Sequence, residues 1–156
     1  MQDQLNLLYR EEEREMLALC EDEGVGVIPW SPLARGKLAR PLGETTVRSE
    51  TDGVGKNLYR EDEADNATIN ALEALSKERG EAMATLALAW HFTKAPVTAP
   101  IVGASKVQHI EAALAALEVD LSEEEVAALE APYRPKWPTG LALGLPNMDQ
   151  VSVLKS

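Results

Sequence analysis

Two stretches of this sequence carry residue types whose spacing could do chemistry. In the first, Trp30-Ser31-Pro32-Leu33 follows Val25-Gly26-Val27-Ile28, a short run that suits a buried parallel strand. Trp30 would bring a flat apolar face to the end of that strand, beside a turn running through Ser31 and Leu33 to Gly36. In the second, Gly103-Ala104-Ser105-Lys106 stands at the start of a helical stretch, with His109 one turn in. A helix N-terminus offers free N–H groups to an anion, and Gly103, Ser105 and Lys106 suit that use. Each stretch also has a plainer reading. Trp30 can be a core tryptophan, Ser-Pro is common turn punctuation, and Ser105-Lys106-Val107-Gln108 reads as a capping box with Ser105 as N-cap.

Other chemistries find little support. His91 and His109 are too few and too far apart for a zinc motif, and a single cysteine, Cys20, excludes an intramolecular disulfide framework. The acidic runs Glu11-Glu12-Glu13, Glu21-Asp22-Glu23, Glu61-Asp62-Glu63 and Glu123-Glu124-Glu125 read as solvated helix faces or first turns, with a carboxylate metal site as the alternative. The net charge of −11 repels phosphate backbones and anionic lipid, so neither nucleic acid nor membrane is an expected partner. No apolar run approaches the ~20 residues of a membrane span. The N-terminus has no signal-peptide pattern, and the cytoplasm is the expected compartment.

The elements that must position the two stretches follow from periodicity. Leu5-Asn6-Leu7-Leu8 reads as a strand, and Glu11 to Glu23 as a helix with Met16, Leu19 and Cys20 on one face and Gly24 as its stop. Val25 to Ile28 is the second strand, and strand-helix-strand over ~28 residues is a βαβ signature. From Gly36 to Asp65, Pro41, Gly43, Gly53 and Gly55 break any period. Such a loop is often a lid or binding loop, and disorder is equally consistent. Asp65 or Asn66 can cap a helix with Ile69, Leu72 and Leu75 in its stripe. Met83, Leu86, Ala87 and Trp90 mark another helix, stopped by Pro96. Val97 to Val102 is a third strand, irregular or at an edge because of Pro100. Ile110, Ala113, Leu114 and Leu117 continue the helix opened at Ser105, and Ser122-Glu123-Glu124-Glu125 is a second capping box.

Three stretches, in this order and spacing, resemble the aldo-keto reductase family: Asn6-Leu7-Leu8-Tyr9-Arg10-Glu11-Glu12-Glu13-Arg14-Glu15-Met16, the run Ile28 to Gly36, and Ala99-Pro100-Ile101-Val102-Gly103-Ala104-Ser105. The resemblance covers roughly residues 1–135 and implies strands six to eight of a (β/α)8 barrel. The expected fold is α/β, a partial (β/α)8 TIM barrel with about three parallel βα units plus an extra C-terminal helix. Residues 1–132 form the barrel segment, with a long loop at 36–65, and 133–156 an irregular tail. The resemblance further implies a weak or vestigial NADP site. Trp30 would stack on the nicotinamide and Gln2 lie near its amide. Ser31, Leu33 and Gly36 would belong to the pyrophosphate loop, and Gly103, Ser105, Lys106 and His109 to the 2′-phosphate site. The chain departs from the family at His109, where Gln or Arg is usual, at Ala113, where Asn is usual, and at Leu5, where Tyr is typical.

The family's Asp, Tyr, Lys and His reaction groups come from the first half of the barrel, so the resemblance implies no catalytic residue here. Tyr9 and Tyr59 do not sit in that motif, and no Lys-Tyr-Asp constellation can be placed from spacing. Carbonyl reduction needs a proton donor. Met1 falls within a strand of the family pattern, so the expectation is a truncated gene, an internal initiation product or an excised fragment. Three functions stay open: an inactive NADP-binding portion of a reductase, a non-enzymatic oligomeric scaffold or interaction module, and a small enzyme with a new activity. A bare strand edge with Val25, Val27 and Ile101 exposed would drive homo-oligomer formation.

Overall fold

The computed structural model describes residues 1–44, 59 and 63–136. Three extended segments, residues 1–4, 26–30 and 96–101, run parallel with 26–30 in the middle. The Met1 α-amino group donates to the Gly26 carbonyl at 2.7 Å, and Trp30 N–H to the Asp3 carbonyl at 2.8 Å. On the other side Val27 N–H donates to Pro96 O, Thr98 N–H to Val27 O and Ile101 N–H to Pro29 O, each at 2.8 Å. Among the described residues no regular strand forms; Gln4 with Trp30 and Val27 with Val97 are isolated parallel bridges. The expected strands are corrected accordingly. Pro29, Pro96 and Pro100 bring no amide to a ladder, which shortens every run of pairing. Gly26 lies where a side chain would collide with Thr98 Oγ1, so the middle and third segments approach closely there.

Leu5 to Leu8 is not a strand. Asn6 and Tyr9 pair antiparallel around a tight turn, with Asn6 N–H on Tyr9 O at 3.0 Å and Tyr9 N–H on Asn6 O at 2.9 Å. The expected helix from Glu11 to Glu23 divides into a 3-10 turn, Glu11–Arg14, and α1, Met16–Asp22, because Glu15 leaves helical geometry at φ −149°. Its buried face is Leu17 and Cys20, whereas Leu19 faces solvent. Gly24, at φ 63°, ends α1, and Val25 N–H reaches back to Cys20 O at 2.7 Å, the geometry of a left-handed C-terminal cap.

Helix α2, Glu63–Arg79, starts before Asp65, so that residue lies in the first turn and is not the cap. Its Ile69, Leu72 and Leu75 are buried as the stripe predicts. In α3, Met83–His91, burial extends beyond the predicted stripe to Thr85, Leu88, Ala89 and His91. Helix α4, Val107–Ala115, is prolonged by the 3-10 turn Ala116–Glu118, and α5, Glu123–Glu130, carries the predicted Ser122–Glu125 capping box. At α4 the N-cap is Lys106, without a side-chain cap, so the Ser105 cap is a correction.

The main core joins Leu5, Leu7 and Leu8 to Leu72, Leu86, Trp90 and Leu129. Val27, expected at an exposed face, lies fully inside it, while Val25 and Ile101 are exposed. His91 sits beneath the first turn, with Nδ1 2.9 Å from Ala87 O and Nε2 2.9 Å from Leu5 O. Most of the loop expected at 36–65, and residues 137–156 of the expected tail, lie outside the described residues.

Candidate functional site

The C-terminal ends of the three parallel segments gather both sequence stretches at one end of the molecule. Gln4 bridges to Trp30, and the Ile101–Pro29 hydrogen bond sets Gly103 to Lys106 just beyond the neighbouring segment. Trp30, Ser31, Leu33 and Gly36 are each half-buried, and Gln2 is exposed on the first segment. Leu33 packs against the core, so it contributes to the loop through its backbone.

The turn after Trp30 is built from left-handed backbone. Ser31 has φ 57°, Ala34 47° and Arg35 54°, followed by Gly36 at 94°. Only the last is a residue for which this conformation is free of steric cost. Ala34 N–H donates to Ser31 O at 2.9 Å and Gly36 N–H to Leu33 O at 2.8 Å. Those two amides are therefore spent inside the loop.

Behind Ser31 lies a polar cluster that the sequence stretches do not announce. The Tyr59 hydroxyl stands 2.8 Å from Gln4 Nε2, 2.8 Å from Asn6 Nδ2 and 3.1 Å from Ser31 Oγ. Asn6 Nδ2 also donates to Ser31 O at 2.9 Å, while its Oδ1 accepts from Leu8 N–H at 2.9 Å. Burial raises the Tyr59 pKa, against the opposing effect of its hydrogen bonds to Ser31, Gln4 and Asn6, so the phenol keeps its proton. The alternating polar positions Gln4 and Asn6 in an apolar run were a usable signal. Tyr59 had none, because its neighbours show no periodicity.

The second stretch is open to water: Gly103, Ser105 and Lys106 are exposed at the start of α4. His109 Nδ1 accepts from Ser105 N–H at 3.4 Å, tying the loop to the first helical turn. Among the described residues no group of three His, Cys, Asp or Glu could hold a metal ion. No helix among them is long and apolar enough to cross a membrane.

Comparison with known proteins agrees in one direction. The family model for the Aldo/keto reductase family matches residues 1–134. A Schizosaccharomyces pombe protein with the provisional name aryl-alcohol dehydrogenase is 50% identical over 142 residues, covering 86% of this chain and 38% of that protein. The versiconal hemiacetal acetate reductase of Aspergillus parasiticus is 46% identical over 139 residues, covering 87% of this chain and 40% of that protein. The solved structure of a thermostable aldo-keto reductase, Tm1743, in complex with the inhibitor epalrestat is 28% identical, with a TM-score of 0.60 over 84% of this chain and 38% of that one. The chain thus spans about two fifths of the length of the relatives it matches. With the family pattern running through both candidate stretches, this chain belongs to the aldo-keto reductase family.

Proposed function

We propose that these 156 residues are the NADP(H)-recognising portion of an aldo-keto reductase-type carbonyl oxidoreductase, and that alone they bind the cofactor weakly without reducing carbonyls. The observation that carries this reading is the family match over residues 1–134, which includes both candidate stretches. The residue types fit a dinucleotide. Trp30 supplies a flat, half-buried ring at a segment end. Ser31 supplies a hydroxyl on a tight turn, and the exposed start of α4 with Lys106 supplies N–H groups and a cation for a phosphate. NADPH, when bound, supplies the hydride. This chain's part is to hold the two ends of the dinucleotide and to keep one face of its reactive ring covered. Two amides of the 31–36 turn are spent internally, and His109 and Ala113 replace the residues usual in the family, which limits affinity.

NADPH oxidation with a small aldehyde tests the second half of this reading. The expected result is no turnover above the host background, because general acid assistance is worth about 10²–10⁴-fold and no Tyr–Lys–Asp set is placed by the sequence. Turnover that co-purifies with the chain and is lost on Trp30→Ala would overturn it.

A second reading, a self-associating module, is favoured by α4. Val107, Ile110, Leu114 and Leu117 lie along one stripe and are 71%, 51%, 59% and 61% exposed, and α4 itself buries no residue. At ~25 cal/mol per Å2, a few hundred Å2 of such surface is several kcal/mol of drive to associate. Sedimentation at tens of micromolar tests it: a dimer or larger species is expected, and a monomer with native secondary structure contradicts it.

A further inference from the structure

Ser31, Ala34 and Arg35 adopt left-handed backbone without being glycine, and such conformations persist only where the surroundings hold them. What holds Ser31 comes from two distant parts of the chain. Asn6 Nδ2 donates to the Ser31 carbonyl at 2.9 Å and to Tyr59 Oη at 2.8 Å. Gln4 Nε2 also donates to Tyr59 Oη at 2.8 Å. The amide of Asn6 is fixed in this sense because its Oδ1 is engaged by Leu8 N–H at 2.9 Å.

A phenol oxygen has two lone pairs and one proton. With both lone pairs facing amide donors, the Tyr59 proton points to Ser31 Oγ, 3.1 Å away. Ser31 is thereby an acceptor towards the cluster, and its own proton is turned away from it. Tyr59 is only 4% exposed.

We propose that Tyr59 and Asn6 are positioning residues for Ser31. They lock its left-handed turn and reserve its O–H as a donor to an acceptor-only ligand oxygen, such as that of a phosphate ester. The inference rests on the reading of this end of the molecule as a dinucleotide site.

The test is calorimetric titration of the 156-residue chain with NADPH, on the natural sequence, Tyr59→Phe, Ser31→Ala and the double variant. Glu130→Gln, which disturbs the cluster of Arg10, Trp90 and Lys94 and has no hydrogen bond to Ser31, Asn6 or Tyr59, serves as the control for general loss of stability. Tyr59→Phe is expected to weaken binding about tenfold, as for loss of a hydrogen bond to a charged ligand. Because Tyr59 acts through Ser31, the double variant should bind no more weakly than Ser31→Ala alone. Glu130→Gln should lower the thermal midpoint at least as much as Tyr59→Phe and leave NADPH affinity unchanged. If Tyr59→Phe does not fold by circular dichroism, Gln4→Met replaces it, with a roughly threefold loss expected. Unchanged affinity in the replaced residue, multiplicative losses in the double variant, or an equal loss in Glu130→Gln would overturn the proposal while the dinucleotide reading stands. Failure of the natural chain to bind NADPH would overturn both.

Discussion

The two ends of this molecule treat their side chains in opposite ways. At one end, Glu130 Oε1 accepts from Trp90 Nε1 at 2.8 Å and Lys94 Nζ at 2.6 Å, while its Oε2 accepts from Arg10 at 2.7 Å. The Arg10 guanidinium lies 5.8 Å from the Trp90 ring centroid and 5.2 Å from that of Tyr133. Tyr133 Oη donates to Glu11 Oε1 at 2.6 Å, and Lys136 pairs with the buried Asp65. The first turn, α3, α5 and the segment after it are fastened to one another with their charges answered internally. At the other end, α4 buries nothing, shows an apolar stripe to water, and leaves Gly103 to Lys106 exposed. Internally answered chemistry marks the clasp that makes the chain fold. Unanswered chemistry marks the end proposed to meet a ligand or partner.

The contrast is broken most directly through Trp90. Trp90→Ala removes the largest fully buried side chain among the described residues and orphans part of Glu130, so urea unfolding should show a loss of about 3–5 kcal/mol. A loss below about 1 kcal/mol would mean that the clasp does not hold the fold together.

Acid should loosen the same end. Burial alone would raise the Glu130 pKa, but hydrogen bonds from Lys94 and Trp90 and the charges of Lys94 and Arg10 hold it below its usual 4.5. That stabilisation is full above the usual value and is lost as pH falls through the lowered one. Burial depresses the His91 pKa below 6.5, with the Lys94 charge acting the same way and its backbone contacts opposing. The unfolded chain therefore takes up a proton first, and stability begins to fall below pH 6.5. Denaturant midpoints should drop in two stages, the first below pH 6.5 and the second below pH 4.5, and His91→Gln should remove the upper stage. A midpoint independent of pH below 6.5 would contradict the assignment.

Asp3 sharpens the comparison from the other side. Neither of its buried carboxylate oxygens has a partner among the described residues other than its own backbone amide, and burial raises its pKa despite that contact and the charge of the N-terminus. The ionised form is thus a liability at neutral pH. Asp3→Asn should stabilise the chain by about 1–2 kcal/mol at pH 7 and by less in acid. Destabilisation in thermal melts would show that an interaction of Asp3 has been missed.

The smallest change in stability belongs to α4. Leu114→Lys should move the thermal midpoint by no more than a degree or two, because the side chain is exposed. It should also abolish the association expected in sedimentation. A large drop in the midpoint would place this stripe inside a fold interface.

How much of this was legible in the sequence follows from how local each cause is. The stop at Gly24, the α5 capping box and the Ile69–Leu72–Leu75 stripe depend on neighbours within a turn, and they are where periodicity puts them. Leu5 to Leu8 misled because an apolar run alone does not separate a strand from a buried turn. Here the choice is made by Asn6, whose Oδ1 accepts from Leu8 N–H. The break at Glu15 and the N-cap at Lys106 are boundary shifts of the kind that propensity does not fix. In the candidate site, Trp30, Ser31 and the start of α4 were readable as motifs. Of the Gln4–Asn6–Tyr59 cluster only the alternation of Gln4 and Asn6 carried a signal, because Tyr59 reaches Ser31 across 28 residues and nothing local encodes that contact.

The central claim is that the open end of the molecule recognises NADPH. Calorimetric titration of the natural 156-residue chain with NADPH and with NADH at matched, low ionic strength measures it directly. Weak binding of NADPH is expected, with a dissociation constant of about 10 μM–1 mM, and binding of NADH at least several-fold weaker. Lys106→Ala should abolish most of the difference, because Lys106 and the α4 N-terminus are the groups proposed to answer the 2′-phosphate. Equal affinity for the two nucleotides, or no heat at millimolar NADPH, would contradict it.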